Sequence, residues 1–108
     1  MNDTINTKKI YTIEELKEKL TPVFNDAPIY NAILIGSYAR TEADEKSDVD
    51  IVIDSKKQLT GFDFYGVVAQ IEDAIEKDIH LIEINQIKAG APLLSIIQNE
   101  GIKLYERP

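Results

Sequence analysis

ILIGSYARTEADEKSDVDIVID, residues 33–54, is two apolar runs separated by a Gly-Ser break and a polar stretch, and the second run carries two aspartates. Ala32 to Ile35 has the composition of a strand, and it stops at Gly36-Ser37. Beyond a short segment bearing Arg40 and the exposed loop Asp44 to Ser47, the chain becomes apolar again at Asp48-Val49-Asp50. Side chains of a strand alternate between faces, so Val49, Ile51 and Ile53 point one way while Asp48 and Asp50 point the other. Two carboxylates one pleat apart make a place for a cation. A strand that ends in Gly-Ser at a helix start leaves backbone amides unpaired, and glycine lets a ligand approach the main chain, which outlines a phosphate cradle. The same residues also read as an ordinary turn, with Ser37 as a helix cap.

Upstream of this stretch, residues 1–10 are polar without apolar period and are expected to form a loosely held arm, with one domain over residues 11–108. Thr12 and Glu15 have the spacing of a capping box. Ile13, Leu16, Leu20, Val23 and Phe24 give the following helix its apolar stripe, and Pro22 is expected to end or kink it near Leu20. A first strand is expected over Ile29 to Ile35, and Tyr38 to Ala43 is composed largely of helix formers.

Downstream, a second strand runs from Asp48 to Asp54, and Phe64, Val67, Val68, Ile71, Ala74 and Ile75 match a helix of about four turns, with Glu72, Glu76 and Lys77 largely off its stripe. A third strand covers Ile79 to Ile84. Ala91 to Asn99 reads as a last helix, with Pro92 in its first turn, Gly101 as its stop, and a short strand from Ile102 to Tyr105 after it. Alternating strands and helices favour a small sheet with helices packed on it.

Composition narrows the function classes. The chain has 108 residues, 44% of them hydrophobic, enough for one core and too few for two. It has no cysteine and a single histidine, so disulfides, thiolate metal sites and a multi-histidine zinc site are excluded. A net charge of −7 argues against a broad electrostatic grip on nucleic acid and suits a basic protein partner or a cation-bridged nucleotide. Met1 leads into polar residues, and no apolar run approaches the ~20 residues of a membrane helix, so no membrane association and a cytoplasmic location are expected.

Gly36-Ser37, ten intervening residues, then Asp48-Val49-Asp50 on a strand, with Arg40 three residues past the serine, resembles the minimal nucleotidyltransferases of the DNA polymerase β superfamily. The resemblance covers roughly residues 12–106. It implies an α+β fold, a small mixed β-sheet with helices packed on it. It also implies that Gly36 and Ser37 hold the terminal phosphates of ATP, and that Asp48 and Asp50 bind two divalent cations, usually Mg2+ and in some cases Mn2+. Arg40 either pairs with a phosphate or forms an ion pair with Glu42 or a loop acid.

The sequence departs from the family pattern in one important place. Family members with full activity carry a third carboxylate on the strand after the long helix, and here the register puts His80 there. Histidine serves as a base but is a poor magnesium ligand, because that ion prefers hard oxygen donors. Asp78 shares the face of His80 and is the alternative catalytic residue, whereas Glu83 faces the other way. A histidine without catalytic role is the other reading of His80. Thr41 stands where glycine is common in the family. Tyr38 reads as a surface tyrosine packed on its helix or as a stack for a base, and Lys56-Lys57 as a solvated turn.

The resemblance extends to freestanding antitoxins that pair with a HEPN-domain ribonuclease toxin and transfer AMP from ATP to a toxin tyrosine. It implies that activity here, and a hetero-oligomer with the toxin. Replacement of the third carboxylate by His80 raises a second reading, neutralisation of the partner by binding alone. A subunit that modifies a small molecule of the aminoglycoside type is a third.

Overall fold

The computed structural model describes residues 8–108, so the arm expected at residues 1–10 falls mainly outside the described residues. Helix α1 (Ile13–Asp26) starts on the anticipated capping box: Thr12 Oγ1 accepts from Glu15 N, and Glu15 Oε1 accepts from Thr12 N at 2.9 Å. Pro22 lies inside the helix and does not end it, which removes one of the two outcomes expected from sequence. Leu16, Leu20 and Phe24 recur every fourth residue and are all fully buried, so packing on both sides of Pro22 offsets the ~3 kcal/mol a proline costs inside a helix.

Four strands follow: β1 (Asn31–Ile35), β2 (Val49–Asp54), β3 (Ile79–Glu83) and β4 (Ile102–Glu106). They form one sheet in the order β3-β2-β1-β4. β1 pairs antiparallel with β2 and with β4, whereas β2 and β3 are parallel, joined by the crossover helix α3 (Gly61–Ile75). The fold is therefore α+β with a mixed sheet, as expected. The strands are trimmed by one or two residues relative to the sequence reading, and β4 gains Glu106. The helix expected over Tyr38 to Ala43 is instead a single turn, α2 (Gly36–Ala39), closed by Arg40 and the left-handed Thr41 (φ 56°).

Alternation along the strands divides the sheet into two unlike faces. Ala32, Leu34, Val49, Ile51, Ile53 and Ile79 point into the core with α1 and α3, whose Leu16, Leu20, Phe24, Val67, Ile71 and Ile75 are buried against them. Each such valine, leucine, isoleucine or phenylalanine contributes about 1.5–3 kcal/mol of burial. The opposite face carries Ile35, Asp50 and His80 in one row and Ile33, Val52 and Ile82 in the next. It is covered only in part, by helix α4 (Pro92–Glu100), which buries none of its side chains fully. Gly101 does stop α4, but at φ −63°, not in the left-handed conformation. A Cβ there would lie 2.6 Å from Ile33 Cγ2, so glycine is needed to let the helix end rest on β1. Lys77, read as off the stripe, is buried, and its Nζ donates to the Glu45 carbonyl at 3.2 Å, which pins the loop leading into β2.

Candidate active site

The register of the three strands that bear the site residues follows from the apolar pattern, because Leu34 and Ile51 must both face the core. That register sets Ile35 opposite Asp50 and Asp50 opposite His80. The consequence is a cluster at the end of β1, on the face that α1 and α3 leave open. Asp50 Oδ1 lies 2.9 Å from His80 Nδ1, and Asp48 Oδ2 lies 3.8 Å from His80 Nε2. An ionised carboxylate only accepts, so Nδ1 carries the hydrogen it donates to Asp50. In the neutral imidazole this leaves Nε2 with a lone pair. Asp50 is the most enclosed of the three, its side chain 29% exposed against 45% for Asp48 and 68% for His80.

Gly36 closes the cluster from the β1 side. Its φ is +79°, and a Cβ on it would sit 2.6 Å from Asp50 Oδ2. Two independent constraints therefore demand glycine, one of conformation and one of space. The α2 turn starts at Gly36 with Ile35 in the cap position and no side-chain cap, so Ser37 is not the helix cap that the ordinary-turn reading supposed. Ser37 is half-buried in the first turn, and its hydroxyl makes no hydrogen bond within the described chain.

The other sequence-predicted residues lie at or beyond the margin of this cluster. Asp78 is exposed just before β3; its carbonyl accepts from Val49 N at 3.1 Å, but its side chain forms no hydrogen bond or ion pair with Asp48, Asp50 or His80. Arg40 is tied by Nε to Glu42 at 3.0 Å and by a terminal nitrogen to Glu100 at 3.2 Å, and these carboxylates, Glu42 first, hold its guanidinium pKa above the ordinary value. The ion pair with Glu42 was one of the two sequence readings; the link to Glu100 on α4 lies 60 residues away and has no local signal. Tyr38 is neither a surface tyrosine nor available as a stack: it is 3% exposed, and burial pushes its phenol pKa up. Glu83 does face away from His80, into the core.

The donor set fits a hard divalent cation in one particular way. Among the described residues no group of three or more His, Cys, Asp or Glu side chains is arranged to hold a metal ion by itself. Asp48 and Asp50 supply two oxygen-bearing groups, and magnesium is usually bound by one or two carboxylates completed by water and substrate phosphates. The Gly36 turn lies against Asp50, with no side chain of its own between its backbone and that carboxylate. Among the described residues no helix is long and apolar enough to cross a membrane.

Comparison with known proteins bears on the fold and on the family. A Methanocaldococcus jannaschii protein provisionally named a protein adenylyltransferase is 31% identical over 91 residues, 83% of this chain and 95% of its own. The fold matches a crystal structure of a toxin-antitoxin with AMP-PNP at a TM-score of 0.73, with 18% identity, covering 84% of this chain and 73% of that one. It also matches a structure of the tri-AMPylated Shewanella oneidensis HEPN toxin in complex with MNT antitoxin, at a TM-score of 0.68 and 16% identity over 89% and 74% of the two chains. Residues 18–108 match the family described as "Polymerase beta, Nucleotidyltransferase", and the chain belongs to that family.

Proposed function

We propose that this chain transfers AMP from ATP to a tyrosine hydroxyl of a HEPN-domain ribonuclease toxin and so acts as its antitoxin. The observation that carries the reading is the approach of Asp50 to Gly36: a carboxylate lies against a left-handed glycine at the start of a helical turn, where only a backbone free of Cβ fits. Phosphates seated on the amides of Gly36 and Ser37 bring the α-phosphorus toward Asp48 and Asp50. Bound Mg2+ or Mn2+ supplies charge neutralisation for the nucleotide and its leaving group. The tyrosine oxygen forms the new bond to the α-phosphorus, the bond from that phosphorus to the α,β-bridging oxygen breaks, and pyrophosphate leaves. The phenolic proton passes to His80 or Asp78; His80 has the better position, because Asp50 orients its ring through Nδ1 and Nε2 makes no hydrogen bond, its nearest carboxylate oxygen being Asp48 Oδ2 at 3.8 Å.

The test is incubation with α-labelled ATP, Mg2+ or Mn2+, and the HEPN-domain partner. Label on a partner tyrosine is expected, and Asp50→Ala should remove it. Tight binding without label in either metal supports the second reading, neutralisation by occlusion. The feature favouring that alternative is the third position itself, where the site presents an imidazole against Asp50 in place of a carboxylate.

A further inference from the structure

The two edges of the sheet are finished differently. Val49 N donates to the Asp78 carbonyl, and β2 and β3 run parallel in register from Val49 with Ile79 to Ile53 with Glu83. In such a ladder His80 and Ile82 turn their backbone groups toward β2, while Ile79, Leu81 and Glu83 turn theirs outward. Ile79 N meets Glu72 Oε2 at 3.5 Å, but no hydrogen bond among the described residues occupies the outward groups of Leu81. The other edge is guarded by charge. On β4, Lys103 pairs with Glu106, and the next residue, Arg107, reaches the carbonyls of Phe24, Ala27 and Ile29. From Ile79 to Ile82, β3 has no lysine or arginine.

Two hollows straddle the β3 edge. One of about 470 Å³ runs toward Gln86 and Ile87, and one of about 650 Å³ reaches Asp50 and His80; both are lined by Phe64, Tyr65, Leu81 and Ile82. The groove is therefore continuous with the active-site cluster. On its helical side stands Tyr65, 70% exposed; Phe62, 95% exposed, lies outside the lining of both hollows, and these two are the most exposed large apolar side chains among the described residues. They are three residues apart on α3 and so share a side of the helix. Apolar surface of this kind, beside an open strand edge, is the setting in which an extended peptide adds a strand.

We propose that the acceptor protein docks as an extended segment on the outer edge of β3, against Phe62 and Tyr65, with an apolar side chain in the hollow of Phe64, Leu81 and Ile82. Its hydroxyl-bearing residue then arrives at Asp50 and His80. The inference rests on the transfer reading for what happens at that end. With a rise of about 3.3 Å per residue, a segment seated beside Glu83 reaches His80 within roughly three residues, so docking and delivery use one stretch of chain. Charge selects the occupant. The chain carries −7; Asp50 lines the groove, Asp48 lies 3.8 Å from His80 in its lining, and Glu72 reaches Ile79 N at its entry, which suits a segment with basic residues around its tyrosine. A second copy would bring the same acidic rim against this one.

Hydrogen exchange on the full chain, free and bound to the HEPN-domain protein of the labelling assay, tests the docking directly. Slowed exchange at the amides of Leu81 and Glu83 on binding is expected; unchanged exchange there in a formed complex overturns the proposal. The double variant Phe62→Ser/Tyr65→Ser should keep the melting temperature and the KM for ATP, and should raise the acceptor's KM and Kd at least about tenfold. Wild-type rates and affinity in that variant would dismiss the β3 edge while leaving AMP transfer intact. Conversely, a wild-type chain that binds without labelling, paired with a double variant that loses binding, keeps the edge and removes the transfer. A free chain that sediments as a dimer with Leu81 and Glu83 already protected would assign the edge to a second copy and overturn the proposal.

Discussion

β2 and β3 are bridged by carboxylates at both ends, and the two ends use them for opposite purposes. At the start of β2, Asp48 and Asp50 are partly exposed and share one imidazole, and Asp50 lies against a glycine turn. At its finish, Glu83 is 5% exposed and saturated: it accepts from Ser55 Oγ, from Ser55 N at 3.3 Å, and from Asn85 Nδ2 at 2.6 Å, while Asn85 also donates to Asp54 at 3.0 Å. A buried carboxylate is tolerated only when its oxygens are satisfied, and these are. Carboxylates on the same two strands thus form a satisfied structural clasp at one end and a partly exposed, incompletely bonded pair at the other. Incompleteness, more than the presence of acids, marks the site.

The contrast predicts a crossed pattern of losses. Asp50→Ala should lower AMP transfer by on the order of 10³-fold or more, since charge placement carries most of such catalysis, while stability changes by no more than about 0.5 kcal/mol. Glu83→Ala should do the reverse. It strands the donors of Ser55 and Asn85 in a closed setting, which costs about 3 kcal/mol and on the order of 10 °C in Tm, with the transfer rate per folded molecule unchanged. Thermal melts and the labelling assay on both variants decide the matter. A stable, inactive Glu83→Ala would erase the distinction between the ends.

Gly36→Ala comes next. It forces a Cβ into Asp50 Oδ2 and a left-handed φ on alanine, so it should cost about 1–2 kcal/mol of stability and weaken nucleotide binding as well. It reads on both fold and ligand because the Cβ it adds enters the space held by Asp50, the carboxylate proposed to act in transfer. His80→Asp probes the third position. If His80 fills the place of the missing carboxylate, the variant gains magnesium-dependent transfer; an unchanged or lower rate would remove His80 from that role.

How far these ends could be read from sequence follows from range. The period-2 pattern of Val49, Ile51 and Ile53 set the face of Asp50, and alternation along β3 put Glu83 on the other face from His80. Strands and helices were legible for the same local reason, as was the capping box at Thr12. That the helix would continue past Pro22 was not decidable locally, because the proline's penalty is outweighed by the burial of Leu20 and Phe24, which depends on α3 and β4. The burial of Tyr38, the clamp of Lys77 on Glu45 and the hold of Glu100 on Arg40 are likewise products of tertiary contact. The clasp around Glu83 joins residues 28 positions apart, and nothing local distinguishes its acid from those of the site.

The finest test of the two ends uses their serines. Ser55 is fully buried; its hydroxyl donates to Glu83 and accepts from Leu59 N at 3.2 Å. Ser37 is half-buried, and its hydroxyl has no partner within the described chain. Ser55→Ala removes a group with two bonds to buried partners, so a loss of about 1–2 kcal/mol is expected, read as a lower urea midpoint at unchanged m. Ser37→Ala removes a hydroxyl the fold does not use, so its midpoint should move by less than about 0.5 kcal/mol. If that hydroxyl is reserved for a phosphate, the price appears in the ligand instead: a net hydrogen bond of about 1 kcal/mol corresponds to roughly fivefold weaker ATP binding, measurable by calorimetry in the presence of Mn2+. Equal midpoint shifts in the two variants, with ATP affinity untouched by Ser37→Ala, would mean that both ends of β2 are structural and that the cradle lies elsewhere.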